Sequence, residues 1–386
     1  MYSYKKASVI GATIFILIIG LFFLYSKSNT FEFIKTTASD VIDVIGPNHP
    51  QKLAVPPVSQ KGIYISAWTL TNTKKVKDLI QLIKDTELNT VVVDVKDASG
   101  MFSYNVDIPL AEKIGANNKI KTKNIDSLIT QLHNDNIYVI GRVQVFQDPV
   151  LAEGRPDIAI KDSSNKNLWK DAHGLAWLDP SSKIAWQYAV DIAKDMATHG
   201  FDEVNYDYVR FPTDGQLEKL SFPFWNADKP KYELIGNFFA YLNQELKNIS
   251  IAKSADVFGL TSWRAMDFKF DLNIGQRLID TLPYFDYVSP MVYPSHYPSG
   301  FNGIKTPAAK PYEIVYGSLS AAQSLVATTS YKAVLRPWLQ DFTLGSVEYD
   351  KNKVREQIKA ASDVGIQNWL LWNSSNRYTQ DALLPK

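Results

Sequence analysis

The stretch DEVNYDYVRFP, Asp202–Pro212, decides how this chain is read. A helical segment ends at His199-Gly200, a β-branched and aromatic run follows, and charged side chains arrive where the run should stop, at Asp207 and Arg210. Side chains alternate across a strand, so Asn205, Asp207 and Val209 are expected on one face and Tyr206, Tyr208 and Arg210 on the other. Aspartate is disfavoured inside strands and expensive to bury alone. Asp207 therefore reads either as a framework carboxylate held by Arg210 or a neighbouring strand, or as a reactive group at a strand tip.

Outward from this stretch the chain is regular. GIYISAW (Gly62–Trp68), TVVVDVKD (Thr90–Asp97) and IYVIGRVQVF (Ile137–Phe146) read as strands one to three, and Asp202–Pro212 as the fourth. IAKSADVFG (Ile251–Gly259), DYVSPMVY (Asp286–Tyr293), AVLRPWLQ (Ala333–Gln340) and IQNWLLWN (Ile366–Asn373) supply strands five to eight. Between them, helical spacing runs over Thr73–Thr86, Asn124–Asn134, Ser181–Thr198, Tyr232–Lys247, Ile274–Thr281, Pro311–Ala327 and Lys351–Val364. This alternation predicts an α/β fold, a (β/α)8 TIM barrel over residues 61–386. A doubly wound open sheet competes with it but needs a glycine-rich phosphate turn after its first strand, which is missing.

In such a barrel the chemistry gathers where strands end. Those ends carry Trp68; Asp94, Lys96 and Asp97; Arg142 and Gln144; Asp207 and Arg210; Asp256; Tyr293; Gln340; Trp372 and Asn373. There are only five His and no HxH or HExxH pair, so neither a metal nor another cofactor is expected. The absence of Cys excludes disulfides and a thiol nucleophile. With 41 basic against 40 acidic residues, no strongly basic face points to nucleic acid. Nine Trp and twenty Tyr supply flat apolar surface suited to stacking on sugars as well as to core packing.

The N-terminus points to a membrane. After Lys5-Lys6, the run SVIGATIFILIIGLFFLY (Ser8–Tyr25) carries no charge and is followed by Lys27. It reads as a transmembrane anchor within residues 1–27, N-terminus inside, with no small-residue cleavage site close behind. Residues 28–60, with Pro50, Pro56 and Pro57, read as a linker holding the barrel outside the cytoplasm at the cell membrane.

GIYISAW, VVVDVKDASG, WLDPSSKIAWQYAVDIAKDMATHGFDEVNYDYVRFPTDG, SADVFG, VSPMVYPSHYPSGFNG and LRPWLQDF, in this order, resemble a bacterial family of glycoside hydrolase domains related to the α-amylase-like barrels. In related retaining barrels the nucleophilic carboxylate comes from the end of strand four and the proton donor from the end of strand five. The resemblance thus implies those roles for Asp207 and Asp256, with an Asp standing where the donor is usually Glu. Glycosidic cleavage does need one ionised and one protonated carboxyl at the anomeric carbon. Arg210 is expected to stabilise the first, and Ala255, Val257 and Phe258 to raise the pKa of the second.

Around this pair, Trp68, Asp94, Lys96, Arg142, Arg210, Tyr293, Trp338, Gln340 and Trp372 are the expected substrate-binding residues. Each has a blander alternative. Asp94 and Lys96 share a strand face and could form an internal ion pair, Asp256 could cap a loop, Asp97 could serve a turn, and the Trp residues could fill the core. Asp179 is accounted for by capping of the helix that follows, by Asp179 or Ser181, while His173, Trp177 and His296 sit in loops able to wall a cleft. The expected function is a membrane-anchored, extracytoplasmic hydrolase of a cell-envelope or extracellular polysaccharide. The alternative is a glycan-binding barrel without catalysis, which would keep the aromatic cleft and lose the acid and base.

Overall fold

The computed structural model describes residues 49–386, so the expected membrane helix over Ser8–Tyr25 and linker residues 28–48 lie outside the described residues. Among the described residues no helix is long and apolar enough to cross a membrane.

Eight parallel strands close into a cylinder: β1 Lys61–Ile65, β2 Thr90–Lys96, β3 Tyr138–Gln144, β4 Glu203–Asp207, β5 Ala252–Phe258, β6 Tyr287–Met291, β7 in two pieces, Val334–Leu335 and Trp338–Gln340, and β8 Trp369–Trp372. Each strand pairs with its successor, and β8 returns to β1 through Lys61 opposite Trp369 and Gly62 opposite Leu370. Pro337 lacks a backbone donor, and it divides β7. The first piece pairs only with β6, while the second pairs with β8 and touches β6 at Trp338–Met291.

The crossover helices are α1 Thr73–Asp85, α2 Ile125–Asn134, α3 Lys183–Thr198, α4 Lys231–Glu245, α5 Leu278–Thr281, α6 Pro311–Ala327 and α7 Lys351–Asp363. Their starts are written in the sequence: Asn72, Asn124, Ser182 and Asp350 accept from backbone N–H groups three residues on. Ser182, rather than Asp179 or Ser181, caps α3; Asp179 instead accepts from the backbone N–H groups of Ser181, Phe224 and Trp225, joining two loops. In α1 the buried residues Val76, Leu79, Ile80 and Ile83 keep helical spacing and face the cylinder. The fifth crossover is shorter than the expected Ile274–Thr281, because Gly275 takes a left-handed φ of 83° and the helix begins only at Leu278.

Two apolar layers result. Val91, Val93 and Val95 point out to the helices, whereas Tyr64, Val92, Tyr138, Ile140, Tyr293, Trp338 and Leu370 fill the cylinder. A register shift between Asp94 and Lys96 interrupts the alternation on β2. Asp94 faces the interior, but Lys96 leaves for the helical layer, where it pairs with Asp148 at 2.5 Å and lies 5.4 Å from the Tyr188 ring centroid. The expected Asp94–Lys96 ion pair is therefore absent, and Lys96 belongs to the framework.

The segment ahead of β1 lies on the barrel from His49 onward. The Leu53 N–H donates to Asp202 at 2.7 Å, and the His133 ring bridges Asp202 and the carbonyl of Gln51. Over the other end of the barrel, Lys161–Asp162 and Leu220–Ser221 form a small antiparallel ribbon tying the loop after β3 to the loop after β4.

Candidate active site

The C-terminal ends of β3 to β8 surround a cavity of about 400 Å³, within the size range of small-molecule sites. Asp207 is the last residue of β4 and Asp256 lies within β5. The two strands pair up to Tyr206 opposite Ala255, so one further step sets Asp207 beside Asp256. Neighbouring strands run about 4.8 Å apart, and both carboxyls line the same cavity.

Each carboxyl has its own surroundings. Asp207 is held on both oxygens: Oδ2 accepts from Arg142 Nη2 at 2.5 Å and Nε at 3.2 Å, and Oδ1 accepts from the Tyr208 backbone N–H at 2.6 Å. Arg142 also reaches Asp94 at 2.8 Å, and Asp94 accepts from the Tyr64 hydroxyl at 2.5 Å. Burial works against the charge of Arg142, but Asp207 and Asp94 outweigh it and leave the guanidinium more basic than usual. Asp256 has no cationic contact. Its Oδ1 accepts from Asn205 Nδ2 at 2.8 Å and Trp338 Nε1 at 2.9 Å, both neutral donors. Burial first, and then the charge of Asp207, push its carboxyl up to about 8.

The walls are aromatic. Trp372 stacks on Tyr64 with ring centroids 4.0 Å apart and meets Trp338 edge to face at 5.5 Å. Tyr293 packs against His296 and Phe342. Burial, then Asp256 and Asp207, raise the Tyr293 phenol well above its ordinary value, while burial lowers the His296 imidazole. Both shifts favour the neutral form of the group in the cavity wall.

Of the expected site residues, Asp207, Asp256, Arg142, Arg210, Tyr293, Trp338 and Trp372 line the cavity. Four do not. Asp94 sits beneath it, behind Arg142. Lys96 is outside the cylinder for the reason given above. Gln340 is fully buried and spends its amide on Ser295 and the Phe342 carbonyl, clamping the loops after β6 and β7. Trp68 follows β1 but is 66% exposed, with Lys121 Nζ 3.9 Å over its ring centroid. Nor does Arg210 partner Asp207; Arg142 does, from the adjacent strand. The backbone explains the difference. Tyr208 adopts φ 55°, strained for an aromatic residue, so the extended run ends at Asp207 and the alternation expected for Tyr208, Val209 and Arg210 does not continue.

This turn brings in Tyr208, a wall residue that alternation assigned to the opposite face. Trp177 is fully buried beside Tyr208, whereas His173 is exposed and outside the cavity lining. Away from the cavity, His49, Asp126 and His199 bring potential metal-ligand atoms within 4.8 Å of one another. Asp126 accepts from both imidazoles, at 2.8 and 2.6 Å, which accounts for the cluster by hydrogen bonding alone.

The model of the family described as Putative glycosyl hydrolase domain matches residues 62–378. Among solved structures, the glycoside hydrolase domain of PgaB (BpsB) from Bordetella bronchiseptica superposes with a TM-score of 0.60 at 13% identity, covering 86% of this chain and all of that one. A cycloalternan-degrading enzyme from Trueperella pyogenes gives 0.52 at 10% identity, covering 88% and 46%. A hypothetical protein from Ruminiclostridium thermocellum is 38% identical, with a TM-score of 0.45, over 50% of this chain and 97% of its own. No curated protein matches the chain.

Proposed function

Because the chain belongs to this glycosyl hydrolase domain family, we propose that the cavity cleaves glycosidic bonds with Asp207 and Asp256 as its reacting pair. The observation that carries the reading is the unequal environment of two adjacent carboxyls. Asp207, bonded to a guanidinium, is the anion that attacks the anomeric carbon. Asp256, raised to about 8, is protonated at neutral pH and gives its proton to the leaving oxygen. With Oδ1 of Asp256 accepting two hydrogen bonds, the proton resides on Oδ2. Strand neighbours suit the closer carboxyl spacing, about 5–5.5 Å, which goes with a covalent intermediate and retention of configuration. The Trp372–Trp338 corner and Tyr293 offer faces on which a pyranose ring packs.

The substrate class we assign is a polysaccharide of the cell envelope or its surroundings. The support is the uncharged run Ser8–Tyr25, which would anchor the chain with its barrel outside the cytoplasm. Incubation of the wild type and Asp207→Asn with a panel of purified glycans tests the reading. A glycan cleaved by the wild type, with the β-anomer released from a β-linkage and almost no product from the variant, is the expected result. Undiminished cleavage by Asp207→Asn contradicts it.

A further inference from the structure

Three arginines of the barrel are buried, and two of them have carboxylate partners: Arg142 with Asp94 and Asp207, and Arg336 with Glu203. The third, Arg210, is 7% exposed and lines the cavity beside the reacting pair. Among the described residues no carboxylate oxygen lies within 4.0 Å of its guanidinium. Its contacts are neutral: Nη1 donates to the Phe211 carbonyl at 3.0 Å and the Thr213 hydroxyl at 3.2 Å. The group sits among the rings of Trp177, Tyr208 and Phe258, each 4.9–5.0 Å from its central carbon to the ring centroid.

A guanidinium removed from water without a counter-ion is costly, and aromatic faces offset only part of that cost. Burial indeed pushes it below its ordinary basicity. Asp207 does not serve as its ion partner: neither of its oxygens lies within 4.0 Å of the Arg210 guanidinium, and they bond Arg142 and the Tyr208 backbone instead. Sugar hydroxyls would be met as well by neutral amides, without the desolvation of a cation. Nε and Nη2 remain without an acceptor among the described residues, and together they form the planar edge of the fork that matches a carboxylate.

We infer that the cavity takes an acidic glycan, with Arg210 binding the carboxylate of a uronic acid unit. This rests on the glycan-binding reading of the same cavity and adds the substrate's charge. Arg210 is already fixed by its cage and by Thr213, so the incoming anion orders little and neutralises a buried cation.

The test is binding of methyl β-D-glucuronide, methyl β-D-glucoside and glucose 6-phosphate to the full-length chain by calorimetry, with Arg210→Gln and Arg210→Lys alongside. The wild type should bind the glucuronide about tenfold or more tighter than the glucoside, a margin that a charge-assisted bidentate contact supplies. Arg210→Gln should erase that margin and Arg210→Lys keep part of it. Equal wild-type affinity for the two glycosides, or no measurable binding of the glucuronide, overturns the inference whatever the variants do. Tighter binding of the phosphate than of the glucuronide overturns it in favour of a phosphorylated sugar. The readout separates the two proposals. An Arg210-dependent preference in a protein that cleaves nothing leaves the acidic-sugar site standing without the hydrolase. Cleavage of neutral glycans with no preference does the reverse.

Discussion

The cylinder holds two buried ionic clusters, one at each end, and they differ in what they leave unmatched. At the N-terminal end, Glu203 pairs with Arg336 and accepts from the Tyr138 hydroxyl, and Gln60 closes the group through Arg336 and Tyr287. Both side chains of that ion pair are fully buried. At the C-terminal end, Asp94, Arg142 and Asp207 form a similar chain, but it borders a cavity and stands beside a carboxyl without a cation, Asp256. The residue types are nearly the same. What separates framework from site is the empty volume, together with one carboxyl whose pKa burial and then the neighbouring charge of Asp207 raise.

The comparison breaks first at Asp207. Its replacement by Asn should lower the rate on a cleaved glycan by about 10³-fold or more, measured as kcat, because the proposed mechanism assigns the covalent intermediate to Asp207. The mirror experiment at the other end is Arg336→Met. It leaves Glu203 buried and uncompensated, so unfolding in urea should show a loss of about 3–5 kcal/mol, with the rate per folded molecule unchanged. Adding Glu203→Gln should recover much of that loss. If Arg336→Met instead abolishes activity in folded protein, the division into framework and site is wrong.

Asp256 allows a subtler distinction. Its folded pKa, about 8, lies above the unfolded value near 4, so the stability it contributes is complete below that lower value and is lost as pH rises toward 8. Asn mimics the protonated carboxyl and still accepts from Asn205 and Trp338. Relative to wild type, Asp256→Asn should therefore gain stability from pH 4 to pH 8, on the order of 1 kcal/mol per pH unit, while losing activity. A constant stability difference across that range would place the Asp256 proton elsewhere. The smallest effect is expected at the wall. Trp372→Ala removes a stacking face, and KM should rise about fivefold to tenfold with kcat nearly kept.

These contrasts also mark what the sequence made legible. β-Branched runs with polar ends located all eight strands, and the strand ends named Asp207 and Asp256 as candidates, because composition along a parallel strand reports burial directly. Partnership was less visible. Arg210 is three positions from Asp207 in the chain, but Arg142, on the neighbouring strand, is the residue that meets it, and lateral register is not written in local sequence. Two backbone irregularities hid the rest. The register shift in β2 turns Lys96 outward, and the positive φ of Tyr208 stops alternation one residue past Asp207. Gln340 and Trp68 looked like site residues because they end the strands expected from the sequence; one clamps loops and the other lies on the surface. Pro337 signalled an interruption, and the strand is indeed in two pieces.

The central claim, that Asp256 is a protonated acid beside an anionic Asp207, is tested most directly by carbon-13 NMR titration of the aspartate carboxyls, comparing wild type with Asp256→Asn. One carboxyl titrating near 8 in the wild type and missing from the variant is the predicted result. If every aspartate carboxyl is ionised by pH 6, Asp256 cannot supply the proton and the assignment of roles falls.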